Sequence, residues 1–329
     1  MIIAPLIIDC HSHLVPNALL AEIADRASEF PTIRLVDQSA GFGFSFAGGK
    51  PTRPVAKPLQ DLEKRAAWMA ANAIGKQVVG GWLDMFGYEI PAHEGAAWSR
   101  LINRHFRELM SSDPRFVPLA TVPLQDGGAA AEVLEEAMDA GFPGVMIGTQ
   151  PKGVGGVLDD PSLGSFWEAA DRRGAVVFIH PVFESGDDRV HEYGMANAVG
   201  RVTDTMIAVA RLLYAGHPLR YARAKIVCGI GGSGLPLILG RLKTNAALDK
   251  SLADPEANLK ALWFDTILQD ARALAFVANQ VGAERLMLGS DYPFPIGDLQ
   301  PRVAIEGAGF DDATCRAIEG TTAQRIFGL

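Results

Sequence analysis

The sequence predicts a (β/α)8 barrel, a ring of eight parallel strands with a helix after each. Three observations point there. Eight short apolar runs recur along the 329 residues. They are continuous rather than alternating, which is how strands buried on both faces read. Amphipathic stretches of helical period separate them, the order expected of an α/β barrel. Hydrophobic residues make up 48% of the chain and charged residues 21%, enough apolar side chain for a packed core. The alternation alone also fits a doubly wound open sheet.

In chain order, the first strand is expected at Pro5–Cys10, around Leu6-Ile7-Ile8, and the second at Gln77–Asp84, around Val78-Val79. The third is Phe116–Val122, the fourth Gly144–Gly148, and the fifth Ala175–His180, with four apolar residues in a row before His180. The sixth, seventh and eighth fall at Lys225–Gly229, Leu262–Asp265 and Arg285–Ser290. Helical patterns follow them in turn at Leu59–Ile74, Gly95–Ser111, Ala129–Asp139, Pro161–Arg173, Met195–Tyr214, Leu235–Ala247, Gln269–Val281 and Asp311–Ile326. The first of these precedes the second strand, so the repeat holds throughout. Residues 15–57 fit it badly. They carry Gly41, Gly43, Gly48, Gly49, Pro51 and Pro54, with Phe42, Phe44 and Phe46 at alternating positions. This segment reads as an insertion of loops with a short β-hairpin, lying over the barrel mouth in one domain spanning residues 1–329.

Charge and cysteine content narrow the classes of function. With 30 basic and 38 acidic residues, the net charge is −8. No basic run offers a surface to nucleic acid or to an anionic membrane, so neither is an expected partner. Three cysteines, Cys10, Cys228 and Cys315, are too few for a disulfide framework. The apolar opening, Met1 to Ile8, is interrupted by Pro5 and has neither the basic start nor the cleavage site of a secretory signal. The expected compartment is the cytoplasm.

Three motifs carry chemistry. In Asp9-Cys10-His11-Ser12-His13, two histidines two residues apart on an extended segment project to one side. In Ile179-His180-Pro181, a histidine ends the fifth strand and a proline stops it. In Gly289-Ser290-Asp291-Tyr292-Pro293, a carboxylate follows the eighth. Every strand of a parallel barrel opens its C-terminal end on the same face, so His11, His13, His180 and Asp291 can converge on one point. Three imidazoles and a carboxylate suit a catalytic divalent metal with a position left open.

These motifs, with Thr52-Arg53-Pro54-Val55 and Val122-Pro123-Leu124-Gln125-Asp126, make the chain similar to the amidohydrolase superfamily. The resemblance is to the branch of 2-amino-3-carboxymuconate-6-semialdehyde decarboxylase and related aromatic-acid decarboxylases. It implies a distorted barrel and one divalent ion held by His11, His13, His180 and Asp291, with zinc first and manganese or iron as alternatives. It implies that Arg53 meets a substrate carboxylate. It also implies that Arg241 reaches a neighbouring subunit's site, and hence a homodimer.

The sequence departs from that pattern at two points, one of them Val182, where a tryptophan often follows the His-Pro pair. Related enzymes carry a histidine where this chain has Ile230, which can neither accept nor donate a proton. His217 and Cys228 are near in sequence, but spacing assigns neither as a replacement. Trp82 and Phe86, near the end of the second strand, are candidates to line the pocket. The leading expectation is decarboxylation of a small unsaturated or aromatic carboxylic acid, with Asp291 carrying the proton. The alternatives are hydrolysis or hydration of a lactone, amide or activated alkene, and a non-catalytic binding homologue that has lost its base at Ile230.

Overall fold

A computed structural model describes residues 5–182 and 187–329; the first four residues of the apolar opening lie outside them. The strands are β1 (Ile7–Leu14), β2 (Ile33–Gln38), β3 (Gly41–Phe46), β4 (Ile74–Gly81), β5 (Phe116–Pro118), β6 (Gly144–Gly148), β7 (Val176–His180), β8 (Lys225–Cys228), β9 (Trp263–Asp265) and β10 (Leu286–Met287). Two parallel sheets run β1-β4-β5 and β10-β9-β8-β7-β6. Parallel bridges Ala120↔Val145 and Ser12↔Tyr292 join their edges. Hydrogen bonds from Ala120 N to Gly144 O (3.0 Å) and from Met146 N to Ala120 O (2.9 Å) close one seam. Bonds from Cys10 N to Leu288 O and from His13 N to Tyr292 O, both 2.8 Å, close the other. The eight strands therefore form a ring, and the open-sheet alternative falls away.

Inside the ring the side chains of β1, β6 and β7 are fully buried, which explains their unbroken apolar runs. Several boundaries differ from expectation. The second strand begins at Ile74, not Gln77, because Asp61 caps the preceding helix at Leu62–Ala71 and Ala73 (φ 57°) ends it. The third ends its ladder at Pro118, which has no N–H to donate. The eighth is laddered only at Leu286–Met287, although its continuation still pairs with β1 through Leu288 and Tyr292. Helix Arg201–Tyr214 is preceded by a π-helical turn, Ala196–Gly200, and a second π-turn, Ala317–Thr321, interrupts the last helix.

The insertion contains the expected hairpin, with β2 antiparallel to β3 and Leu35 facing Phe44. It is not otherwise only loops. Asn17–Asp25 is helical, burying Leu19 and Ile23 one turn apart. Buried Glu94 fastens the hairpin to helix Ala92–Ser112 by accepting from Thr32 N (2.9 Å) and Thr32 Oγ1 (2.7 Å). Among the described residues no helix is long and apolar enough to cross a membrane.

Candidate metal centre

At the C-terminal end of the ring, β1 carries His11 and His13, β7 ends on His180, and Asp291 follows β10. A register shift between Asp9 and Ser12 bulges β1 where the histidines turn inward. One ligand atom from each of the four residues lies within 4.8 Å of all the others. His13 Nε2 stands 3.0 Å from His180 Nε2, 3.3 Å from His11 Nε2 and 3.1 Å from Asp291 Oδ1. The three imidazoles are buried, while Asp291 keeps 15% of its side chain exposed.

The far side of each ring fixes its tautomer. His11 Nδ1 meets Asp265 Oδ2 at 2.6 Å, His13 Nδ1 meets the Gly81 carbonyl at 3.2 Å, and His180 Nδ1 meets the Pro181 carbonyl at 2.8 Å. Carboxylates and carbonyls only accept, so each Nδ1 carries the proton and donates it, leaving the Nε2 lone pairs bare. Those lone pairs face one another and Asp291 Oδ1, itself a buried oxygen with no donor. Four acceptors within contact of each other repel unless a cation lies between them. The donor set therefore fits a divalent ion, and the Nδ1 contacts are the outer partners that orient metal-ligating histidines.

Protonation points the same way. Burial lowers His13, and burial with His13 alongside pushes His180 down to about 3. Burial also pushes His11 down, but its hydrogen bond to Asp265 and the nearby carboxylates outweigh it, so His11 is raised overall. Burial alone would raise Asp291; its contacts with His13 and His180 and the charge of His11 hold it well below the usual carboxylate range. His13 and His180 are thereby held neutral beside an ionised Asp291, the state in which these groups ligate metal, whereas His11 keeps a proton more readily until an ion displaces it.

Two carboxylates that sequence reasoning left without a role support this floor. Asp265, at the end of β9, also accepts from Ile230 N (3.0 Å) and Gly231 N (2.7 Å). A side chain at Gly289 would meet Asp265 Cβ at 2.9 Å and His11 Cβ at 3.2 Å, so glycine permits this close approach. Asp9 accepts from His11 N (3.1 Å) and Ser290 N (3.0 Å) with one oxygen, and from Gln77 Nε2 (2.8 Å) and Ser290 Oγ (2.5 Å) with the other. It thereby staples the β1 bulge to the residue before Asp291. Burial raises Asp9 to about 6 against those hydrogen bonds. Position was the one available signal, since both carboxylates sit on barrel strands, but position alone assigns neither a role.

Ile230 lies at the same mouth, with its N–H on Asp265 and φ 54°, a backbone that β-branched residues rarely adopt. Neither neighbour replaces a histidine there. His217 is buried against Trp167 and Tyr221, in a helix before β8 rather than after it. The Cys228 thiol is pushed up by burial and stays protonated.

A cavity of about 470 Å³ lies at this end, lined by Arg53, Asp84, Phe86, Tyr88, Gln150 and Val182 among others. None of the four convergent ligands lines it; its nearest approach along the chain is Val182, two residues past His180. Arg53 is bidentate on Asp84, at 2.9 and 3.1 Å, and its guanidinium lies 5.5 Å from the Trp82 ring centroid. Phe86 lines the cavity. Trp82 does not; it is buried behind Arg53. Arg241 stands exposed on helix Leu235–Leu248, outside this chain's cavity.

The family described as Amidohydrolase matches residues 8–329. The 2-amino-3-carboxymuconate-6-semialdehyde decarboxylase of Dictyostelium discoideum is 28% identical over 331 residues, covering 98% of this chain and 91% of that protein. Among solved structures, 5-carboxyvanillate decarboxylase from Novosphingobium aromaticivorans, complexed with manganese and 4-hydroxy-3-methoxy-5-nitrobenzoic acid, superposes with a TM-score of 0.81 at 21% identity, covering 99% of this chain and 97% of that one. A dihydroxybenzoic acid decarboxylase from a Polaromonas species, with manganese and 2-nitroresorcinol bound, gives 0.78 at 19% identity, with the same coverage.

Proposed function

Because the chain belongs to the amidohydrolase family, we propose that it is a metal-dependent decarboxylase of a small unsaturated or aromatic carboxylic acid. One observation carries the reading: three bare imidazole nitrogens and one carboxylate oxygen face each other at the barrel mouth, beside a cavity that presents Arg53. The decarboxylases it resembles support the choice of reaction.

Bound by His11, His13, His180 and Asp291, a divalent ion would supply a Lewis acid that polarises a substrate oxygen and steadies the negative charge left by CO2 loss. Zinc is the ion proposed first, since imidazole and carboxylate are its usual donors; manganese and iron accept the same set. Asp291 is the most exposed of the four, and its carboxylate oxygen would take a proton from bulk water and pass it to the carbon that loses CO2. Arg53 grips substrate carboxylate by charge-assisted hydrogen bonds, and Phe86 gives the ring an apolar wall. Arg241, exposed on helix Leu235–Leu248 and outside this chain's cavity, completes the site of a second copy in a homodimer. The three unpaired cysteines favour the reducing cytoplasm.

The test is product identity. Metal-loaded protein is offered a dihydroxybenzoate, 5-carboxyvanillate, and a small set of lactones and amides. CO2 release that stops with a chelator and returns with metal is expected. Ring opening or hydration without CO2 would replace the proposal with the hydrolytic alternative. No turnover of any kind would leave a binding homologue.

A further inference from the structure

One buried cation touches both chain segments that meet at the ligand-bearing seam of the barrel. Arg65 stands on helix Leu62–Ala71, between the insertion and β4, and is fully buried. Its Nη2 donates to the His13 carbonyl, and its Nη1 donates to Gln77 Oε1 at 2.8 Å and reaches Ser12 Oγ at 3.4 Å. The guanidinium also lies 4.7 Å from the ring centroid of Tyr292, the residue after Asp291. Trp68, three positions on along the same helix face, stacks on that ring at 4.4 Å and 29°. Through Gln77 the contact extends to Asp9, which holds His11 N and Ser290 N. Arg65 therefore meets the backbone of His13 directly. It also meets both chain neighbours of Asp291, Tyr292 by contact and Ser290 by way of Gln77 and Asp9.

The same seam sets how far His13 stands from Asp291. His13 N donates to Tyr292 O and Asp291 N to His11 O, both at 2.8 Å. Side by side, these bonds bring His13 Nε2 to 3.1 Å from Asp291 Oδ1. Stability alone does not account for an arginine here. Its acceptors are a carbonyl, an amide oxygen and a hydroxyl, all neutral, and its buried Nε has no acceptor among the described residues. A guanidinium buried in that way costs free energy that an apolar side chain of similar volume does not. What arginine adds is a planar fork, able to hold two acceptors at a fixed angle while its face packs on an aromatic ring. Burial pushes it down to about 10, so the fork keeps its charge at neutral pH. We infer that Arg65 is a positioning residue for the metal centre: without touching ion or substrate, it fixes the separation between the β1 histidines and Asp291. This inference rests on the proposed metal site.

Cobalt(II) is the probe, because the position and intensity of its visible bands report the geometry of its donors. The full-length parent, Arg65→Met and Arg65→Lys are stripped of metal and titrated with cobalt to saturation. The unfolding midpoint of each metal-free protein is measured beside the titration. Arg65→Met is expected to bind cobalt about tenfold or more weakly, as loss of an outer partner does, with a visible spectrum changed from the parent's. Arg65→Lys keeps the charge but not the fork, so it should recover little of the affinity and should not restore the parent's spectrum. Variants with the parent's spectrum and affinity but a lower unfolding midpoint would give Arg65 a purely structural role and overturn the inference alone. Full recovery by lysine would overturn it too, since charge and not the fork would then be the cause. A parent that takes up no cobalt would contradict the metal site itself, and the inference with it. Arg65→Lys is the milder change, so it still decides the matter if Arg65→Met does not fold.

Discussion

The floor of the site and its rim are built differently. On the floor, three ligand nitrogens come from buried strand ends, and each ring is tied at its far side to an acceptor on the barrel. On the rim, Arg53 belongs to the irregular end of the insertion, its side chain is 37% exposed, and it pairs with Asp84 and lies over the face of Trp82. Rigid strands suit a donor set that must be placed within a fraction of an ångström, whereas loops suit the recognition of substrate. Under the proposed function, the floor carries the chemistry and the rim chooses the acid.

The strongest way to break that division is to remove a floor ligand. His180→Ala should lose the bound ion and reduce CO2 release to the level of chelated protein, read by metal analysis and turnover together. A variant that keeps both would show that the floor is not the centre. Asp265→Asn touches only the orientation of His11 and the loop at Ile230, so metal affinity should fall by about 10–100-fold. Excess metal should restore activity; a loss that no metal concentration repairs would make Asp265 something more than a support. On the rim, Arg53→Met should raise KM by about tenfold or more while kcat changes little, because one charge-assisted contact is lost in ground and transition states alike. A fall in kcat with KM unchanged would move Arg53 to the floor's side of the division. Furthest from the chemistry, Thr32→Val deprives Glu94 of a donor, and should cost about 1–2 kcal/mol of stability with metal affinity unaltered. Denaturant titration and metal binding, run side by side, would show whether the hairpin is coupled to the floor after all.

How much of this was legible depended on how the residues announce themselves. His11, His13, His180 and Asp291 were readable because each terminates or follows a continuous apolar run, and the barrel topology alone brings those ends together. Asp265 was not, since a lone carboxylate at the end of the three-residue β9 has no motif, and only the 2.6 Å contact with His11 gives it a role. Asp9 was read as part of the histidine motif, but its bonds to Gln77 and Ser290 span 68 and 281 residues, which no local pattern can reveal. The helix Asn17–Asp25 escaped because the glycines and prolines of residues 41–54 gave the whole insertion a loop-like character, and its entry is capped by no side chain.

Ile230 stands where the family resemblance leads one to expect a histidine, and there the account can be sharpened. Histidine tolerates a positive φ better than isoleucine does, so Ile230→His should fold at least as well as the parent. Because Asp291 carries the proton in this account, the parent should already release CO2. A parent inert on every substrate that becomes active on gaining the histidine would instead identify a degenerate site.

The central claim is the metal, and mass spectrometry of the purified, untagged chain tests it most directly, beside the same measurement on His11→Ala. The account predicts about one divalent ion per chain in the parent and none in the variant. A parent that takes up no ion after incubation with zinc, manganese or iron would contradict it.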